Sequence, residues 1–121
     1  PFRFIPTVIH KAKAKESVRL MEGTHDWIYI DDFIDGVMTL VKRKDDLRHR
    51  TYNIGTGIAT PNEDIVLKLS KYINVSYVKT GTRKVQDSVL WQADIARMKA
   101  LGWEPRHTLD EGLEKTHVYY K

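Results

Sequence analysis

Apolar residues along this chain of 121 residues fall at helical spacing in some stretches and in short unbroken runs in others. Ile5, Val8, Ile9 and Ala12 keep helical spacing, which predicts a first helix over residues 6–15 with lysines on its outer side. Ser17 to Met21 reads as a short strand ended by Glu22-Gly23. The aromatic and β-branched run Trp27-Ile28-Tyr29-Ile30 is predicted to be extended. A second helix opens at Asp31-Asp32, where carboxylates suit free N–H groups and the positive dipole end. Phe33, Val37, Leu40 and Val41 give that helix one apolar face as far as about Lys44. Thr51 to Ile54 reads as a strand stopped by Gly55-Thr56-Gly57.

The second half begins with Thr60-Pro61-Asn62-Glu63, read as a capping box with proline at the first helical position. The helix it opens should bury Ile65, Val66, Leu69 and Ile73. Val75 to Val78 is a predicted strand and Thr80-Gly81-Thr82 a turn. Asp94 caps a short helix carrying Ile95, Met98 and Leu101, closed by Gly102. Thr108 to Glu111 forms a second capping box, and the last helix places Leu109, Leu113, Thr116 and Tyr120 on one side. With no repeat and no linker, a single α+β or α/β domain is the simplest layout.

Composition narrows the classes. Hydrophobic residues make up 41% and charged residues 30%, which supports one ordinary core and excludes a disordered chain. No apolar run reaches the ~18 residues of a membrane span, and Pro1-Phe2-Arg3-Phe4 does not read as a signal peptide. The chain starts without Met, and a fragment or trimmed lobe is expected. Cysteine is absent, which removes disulfides, thiolate metal sites and a cysteine nucleophile, and fits a reducing, cytoplasmic setting. The formal charge of +4 is uneven. Arg3, Lys11, Lys13, Lys15 and Arg19 face Glu16 alone within residues 1–21, and Lys42, Arg43, Lys44, Arg48 and Arg50 form a second basic cluster. Either these cations are simply solvated or an anionic partner exists: nucleic acid, a phosphorylated metabolite or another protein.

Self-sufficient catalytic patterns are missing. There is no G-x-G-x-x-G or G-x-x-x-x-G-K-[ST] phosphate cradle, no shared helix face of histidines for a metal, and no nucleophile elbow around any serine. None of the tyrosines has a lysine four residues on. What remains is a spread of anion-binding candidates. His25 precedes Asp26-Trp27, and Arg83-Lys84 follow a glycine turn, with Asp87 and Trp91 beyond them. Guanidinium grips phosphate in bidentate fashion and indole offers a flat face for a base or sugar. A surface turn with two cations and a core tryptophan is the alternative.

Four passages, in order, resemble the carboxyl-terminal portion of the extended short-chain dehydrogenase/reductases, the NAD(P)-dependent sugar-nucleotide epimerases and dehydratases. His25-Asp26-Trp27-Ile28-Tyr29-Ile30-Asp31-Asp32 is similar to their R-D-[WYF]-[IL]-[YH]-V-x-D, and Tyr52 to Gly57 to Y-N-[IL]-G-x-G. Arg83 to Asp87 followed by Ala93-Asp94 is similar to R-x-G-D…A-D, and Leu101-Gly102-Trp103-Glu104-Pro105 with Leu109 and Glu111-Gly112-Leu113 to L-G-W-x-P…L-x-E-G-L. The resemblance implies an α/β fold (an α+β lobe): a small mixed sheet with about five helices, without the Rossmann domain, over residues 1–121 as one substrate-binding lobe.

It also implies roles. The lobe closes over the diphosphate of a nucleotide-diphosphate sugar. His25 stands where the family has its first arginine; Arg83 or Lys84 takes the second position, with Asp87 orienting that loop. Trp91 lies near the sugar nucleotide, and the backbone of Val18 to Leu20, with Arg19 and Leu20, borders the base. Three departures stand out: His25 replaces an arginine, the turn before it is about two residues short, and Gln86 replaces a glycine. The cofactor motif and the Tyr-x-x-x-Lys pair of the family's amino-terminal half are not in this sequence. The resemblance therefore implies no cofactor in this chain, NAD(P) in the parent, and no redox chemistry by the chain alone; the alternative is a stand-alone, non-catalytic ligand-binding or oligomerisation module derived from that family. Implied partners are the nucleotide sugar and either the missing Rossmann domain or a second copy of the chain. Nucleic acid ranks last, for want of a helix-turn-helix or aromatic RNA-binding signature.

Overall fold

The computed structural model describes residues 3–82, 85 and 88–121. Helix α1 (Phe4–Lys13) buries Val8, Ile9 and Ala12 at the predicted spacing, and starts two residues early. Strand β1 (Val18–Leu20) runs parallel to β4 (Tyr77–Lys79), with Val18 opposite Tyr77. Strand β2 (Thr24–Asp26) runs antiparallel to β3 (Ala59–Pro61), with His25 opposite Thr60. The sheet content is thus mixed, and divided into two two-stranded ladders. Helices α2 (Ile30–Lys42), α3 (Asn62–Leu69), α4 (Ala96–Ala100) and α5 (Leu109–Tyr119) complete five helices among the described residues. The core joins α1, β1, α3 and α5 through Val8, Ile9, Val18, Leu20, Ile65, Val66, Leu69 and Leu113.

The predicted strand Trp27–Ile30 is not a strand. The ladder lies earlier, at Thr24–Asp26, and Ile30 already opens α2. The backbone here is committed to the helix start, for the Phe33 N–H donates to the Tyr29 carbonyl at 3.1 Å. Trp27 serves as packing, against Phe4, while its indole N–H donates to the Thr60 carbonyl at 3.4 Å. Thr51 to Ile54 also belongs to no ladder. Side chains hold it: the Asn53 amide donates to the Asp94 carbonyl at 3.2 Å, and the Tyr52 hydroxyl accepts from the Arg48 and His49 N–H groups.

The first expected capping box is absent because strand pairing claims its residues. Thr60 and Pro61 sit in β3, and Glu63 turns away to accept from the Tyr77 hydroxyl at 3.0 Å and pair with Lys79 at 2.7 Å. The Asn62 N–H donates instead to the Gly23 carbonyl at 2.9 Å. The second box forms as expected: the Glu111 N–H reaches Thr108 Oγ1 at 3.3 Å and the Thr108 N–H reaches Glu111 Oε2 at 2.8 Å. Asp94 Oδ1 accepts from the Ala96 N–H at 3.0 Å, and Gly102, at φ +87°, ends α4 in a conformation that favours glycine.

Helix α2 is inverted relative to its apolar stripe. Asp32 and Gly36 face inward, while Ile30, Phe33, Ile34, Val37, Met38 and Val41 point outward and are 38% to 57% exposed. Two contacts fix this rotation. A Cβ on Gly36 would lie 3.0 Å from Ile54 Cγ2 and 3.2 Å from Trp103 Cε2, so glycine lets the helix approach both side chains without displacing them. Asp32, 3% exposed, accepts from the His107 N–H at 2.9 Å and from His107 Nδ1 at 2.8 Å.

Burial pushes the Asp32 carboxyl up, but the hydrogen bonds from His107 and Arg106 outweigh it and hold it below its ordinary range. Asp110, beside Lys68 and Lys71, and Glu111, bonded to Thr108, are lowered too. A carboxyl lowered by folding adds stability above its unfolded pKa of about 4 and loses it as pH falls through the folded value. Urea midpoints should therefore drop below about pH 4. Asp32→Asn should flatten that acid limb; an unaltered limb would remove Asp32 from the cause.

Candidate functional site

A cleft of about 580 Å³ opens between α1, β1 and β2. Alternation along β1 turns Val18 and Leu20 into the core and leaves Arg19 outside, at the cleft. Arg3 reaches it from just before α1, Lys11 from α1, and His25 and Trp27 from β2 and its exit. Trp91 closes one side: its N–H donates to the Thr24 carbonyl at 2.9 Å, which brings residues 90–91 alongside β2. Trp91 is 56% exposed, so it is not the core residue of the alternative reading but a flat face offered to solvent. A second recess of about 560 Å³ shares His25, Asp26 and Trp91 with the first and adds Asn53 and Gly55.

Asp26 organises this region. Its Oδ1 accepts from the Thr56 N–H at 2.8 Å and the Thr56 hydroxyl at 2.6 Å; its Oδ2 accepts from the Gly57 N–H at 2.8 Å and the Ala93 N–H at 3.2 Å. One carboxylate thus ties β2 to the 55–57 turn and to the segment that carries Trp91. The packing is tight enough that a Cβ on Gly55 would lie 2.6 Å from the Ala93 Cβ. His25 is held by α3, its Nδ1 lying 3.0 Å from Asn62 Oδ1.

The structure brings Arg19, His25 and Trp91 to one cleft. Leu20, expected to contribute its backbone, is not among the residues lining this cleft; its side chain is 4% exposed in the core, and its carbonyl accepts from the Thr80 N–H at 3.0 Å and hydroxyl at 3.2 Å. Arg83, Lys84 and Asp87 lie outside the described residues. Sequence reasoning missed Arg3, Lys11, Asp26 and Asn62. The signal for the first two was present, since Arg3, Thr7 and Lys11 stand four residues apart and share one helix face.

In the recess lined by Arg43, Arg48 and Arg97, Arg43 pairs with Asp46 at 2.7 Å and Arg97 donates to the Thr51 carbonyl at 2.8 Å. The groove between residues 27–30 and α5 is mostly apolar, and Lys115 lies over the Tyr29 ring.

The glycine turn at 55–57 has its own use for its donors. The Thr56 and Gly57 N–H groups, the donors such a glycine turn would offer to a pyrophosphate, are both bound to Asp26. Among the described residues, no three His, Asp or Glu side chains group to hold a metal, and no helix is long and apolar enough to cross a membrane.

Comparison with known proteins shows what this chain is similar to. A model of the NAD dependent epimerase/dehydratase family matches residues 1–55. Low-salt glycan biosynthesis protein Agl12 of Haloferax volcanii is 27% identical over 125 residues, covering 99% of this chain and 40% of that protein. dTDP-glucose 4,6-dehydratase 1 of Escherichia coli is 26% identical over 133 residues, covering 99% of this chain and 36% of that one. Among solved structures, UDP-glucose-4-epimerase from Stenotrophomonas maltophila, with bound NAD and formylated UDP-arabinopyranose, superposes with a TM-score of 0.86 at 20% identity, covering 98% of this chain and 39% of that one. The complex of MoeE5 with UDP-glucuronic acid and NAD gives 0.82 at 22%, covering 99% and 42%. The chain therefore spans about two fifths of the length of the proteins it matches. Over nearly its whole length, in sequence and in fold, it resembles the carboxyl-terminal portion of the NAD-dependent epimerases and dehydratases, the extended short-chain dehydrogenase/reductases.

Proposed function

We propose that this chain is the sugar-nucleotide-binding lobe of a cytoplasmic NAD(P)-dependent epimerase or dehydratase, and that it grips a nucleoside diphosphate sugar without performing hydride chemistry itself. One observation carries the reading: Arg3, Lys11, Arg19 and His25 converge with the exposed indole of Trp91 on a single cleft. Distributed cations suit two phosphates, and the indole face suits a base or sugar. Arg83, Lys84 and Asp87 lie outside the described residues and belong to this reading only as charges preceding Trp91 in the sequence. The relatives named for dTDP-glucose and the structure holding UDP-glucuronic acid support the same ligand class.

The reacting groups then come from elsewhere. No tyrosine of this chain has the lysine at four residues that would lower its pKa, and the glycine turn has no free donors for a cofactor. The outward apolar face of α2 is the surface on which a dinucleotide-binding half seats.

Calorimetric titration with UDP-glucose and dTDP-glucose tests the reading, with NAD as the negative control. Arg19→Ala combined with Lys11→Ala should weaken binding about tenfold, a loss of about 1.4 kcal/mol, without changing the urea midpoint. Arg83→Ala with Lys84→Ala should weaken it comparably. Binding of NAD alone, or affinities untouched by both double variants, would dismiss the site.

A further inference from the structure

We propose that Asn62 locks the His25 ring in one tautomer, so that the cleft holds a phosphate at His25 only when the free ring nitrogen is protonated. The proposal rests on the sugar-nucleotide reading and adds a condition for binding.

Hydrogen-bond logic sets the tautomer. Asn62 opens α3 and is only 8% exposed. Its Nδ2 donates to the Met21 carbonyl at 3.2 Å, and a carbonyl can only accept. That fixes the amide with Oδ1 toward His25, where Nδ1 lies at 3.0 Å. Oδ1 is again only an acceptor, so Nδ1 carries the hydrogen. In a neutral ring Nε2 is then a bare lone pair. The ring is also hemmed in sterically. A Cβ on Gly23 would lie 2.8 Å from His25 Cε1, and the Trp27 ring stands edge-on at 5.6 Å.

A bare lone pair repels a phosphate oxygen, whereas the same nitrogen with a proton donates to it and adds a positive charge. Charged groups reach the cleft from every element around His25. Arg3, just before α1, Lys11 from α1 and Arg19 from β1 line the same cleft. Glu22, in the turn between β1 and β2, faces it too. Asp26, on the ring's own strand, is committed to four donors, and from α3 Glu63 is paired with Lys79. A bound diphosphate reverses the local balance. Ligand binding and protonation at His25 therefore promote each other, because linkage is reciprocal.

The test uses UDP-glucose and dTDP-glucose with the full 121-residue chain. As diphosphate diesters they lack the phosphate-monoester proton that titrates near pH 6, so any proton taken up comes to the protein. Calorimetry in buffers of different ionisation heat, from pH 5.5 to 8, should show uptake approaching one proton per ligand at the upper end. Affinity should fall about tenfold between pH 6 and pH 8. His25→Arg should bind at pH 8 as tightly as the parent at pH 5.5, without uptake. Asn62→Asp, which sets a negative charge against Nδ1, should move the transition to higher pH. Protons taken up by Glu22 would persist in His25→Arg, so unchanged uptake in that variant overturns the proposal, as does a flat affinity from pH 5.5 to 8 in the parent. Either result leaves the sugar-nucleotide reading standing. Failure of both nucleotides to bind parent and His25→Arg at any pH overturns the two together.

Discussion

Asp26→Asn is expected to lower stability by about 2–4 kcal/mol and to abolish measurable sugar-nucleotide binding. The change is nearly isosteric, so its cost lies in the chemistry of the carboxylate. All of its partners are donors: three backbone N–H groups and the Thr56 hydroxyl. An amide has one acceptor oxygen and one NH2 group. If the NH2 takes the Oδ2 side, the Gly57 and Ala93 N–H groups both face a donor. On the other side the Thr56 hydroxyl can turn to accept, but the Thr56 N–H remains orphaned. Either rotamer strands a part-buried donor, and the 55–57 turn and residues 91–93 lose their tie to β2. Trp91 and His25 then no longer face one another across a fixed cleft. Urea midpoints and the amide resonances of Thr56, Gly57 and Ala93 report the effect; a variant within 0.5 kcal/mol of the parent would show that Asp26 organises nothing.

The second large effect concerns α2. Ile34→Glu, Val37→Lys and Val41→Glu together should leave the urea midpoint within about 1 kcal/mol of the parent, because these side chains already face outward. The same triple change should eliminate association through the α2 face, a loss of hundredfold or more, because charges at the centre of an apolar contact must be desolvated unpaired. In light scattering the parent chain should self-associate through this face, and the variant should run as a monomer. Global unfolding of the triple variant would mean that the stripe is core after all. A parent that is monomeric at high concentration would mean that the face does not drive association.

Local signals were legible in the sequence and long-range ones were not. The Thr108–Glu111 box and the Gly102 stop depend on neighbours within four residues, and both stand as expected. Thr60 carries an equally good local signal, yet β3 pairing with β2, some 35 residues away in sequence, claims it. The period of α2 was evident, but which side faces inward depends on Asp32 meeting His107 and on Gly36 meeting Trp103, contacts that no local window contains. Trp27 to Tyr29 has strand composition, but the N-terminal turn of α2 takes up the Tyr29 carbonyl.

The site divides along the same line. Single residues with suitable chemistry were visible, and Arg19, His25 and Trp91 do meet. Leu20 came with the motif for its backbone, and the core position of its side chain follows from alternation along β1. Arg3 and Lys11 looked like solvated helix charges until α1 was set against β1. Asp26 and Asn62 are polar residues whose importance lies wholly in partners 30 to 67 positions distant, so no spacing rule could have singled them out.

The most direct measurement is a backbone amide chemical-shift titration of the isotope-labelled chain with dTDP-glucose and UDP-glucose. Saturable shifts at Lys11, Arg19, His25 and Trp91, including the Trp91 indole N–H, are the predicted result, with the residues of the groove between Tyr29 and Tyr119 unmoved. No saturable shift at millimolar ligand, or shifts confined to that groove or to the arginines around Tyr52, would contradict the assignment of this lobe to sugar nucleotides.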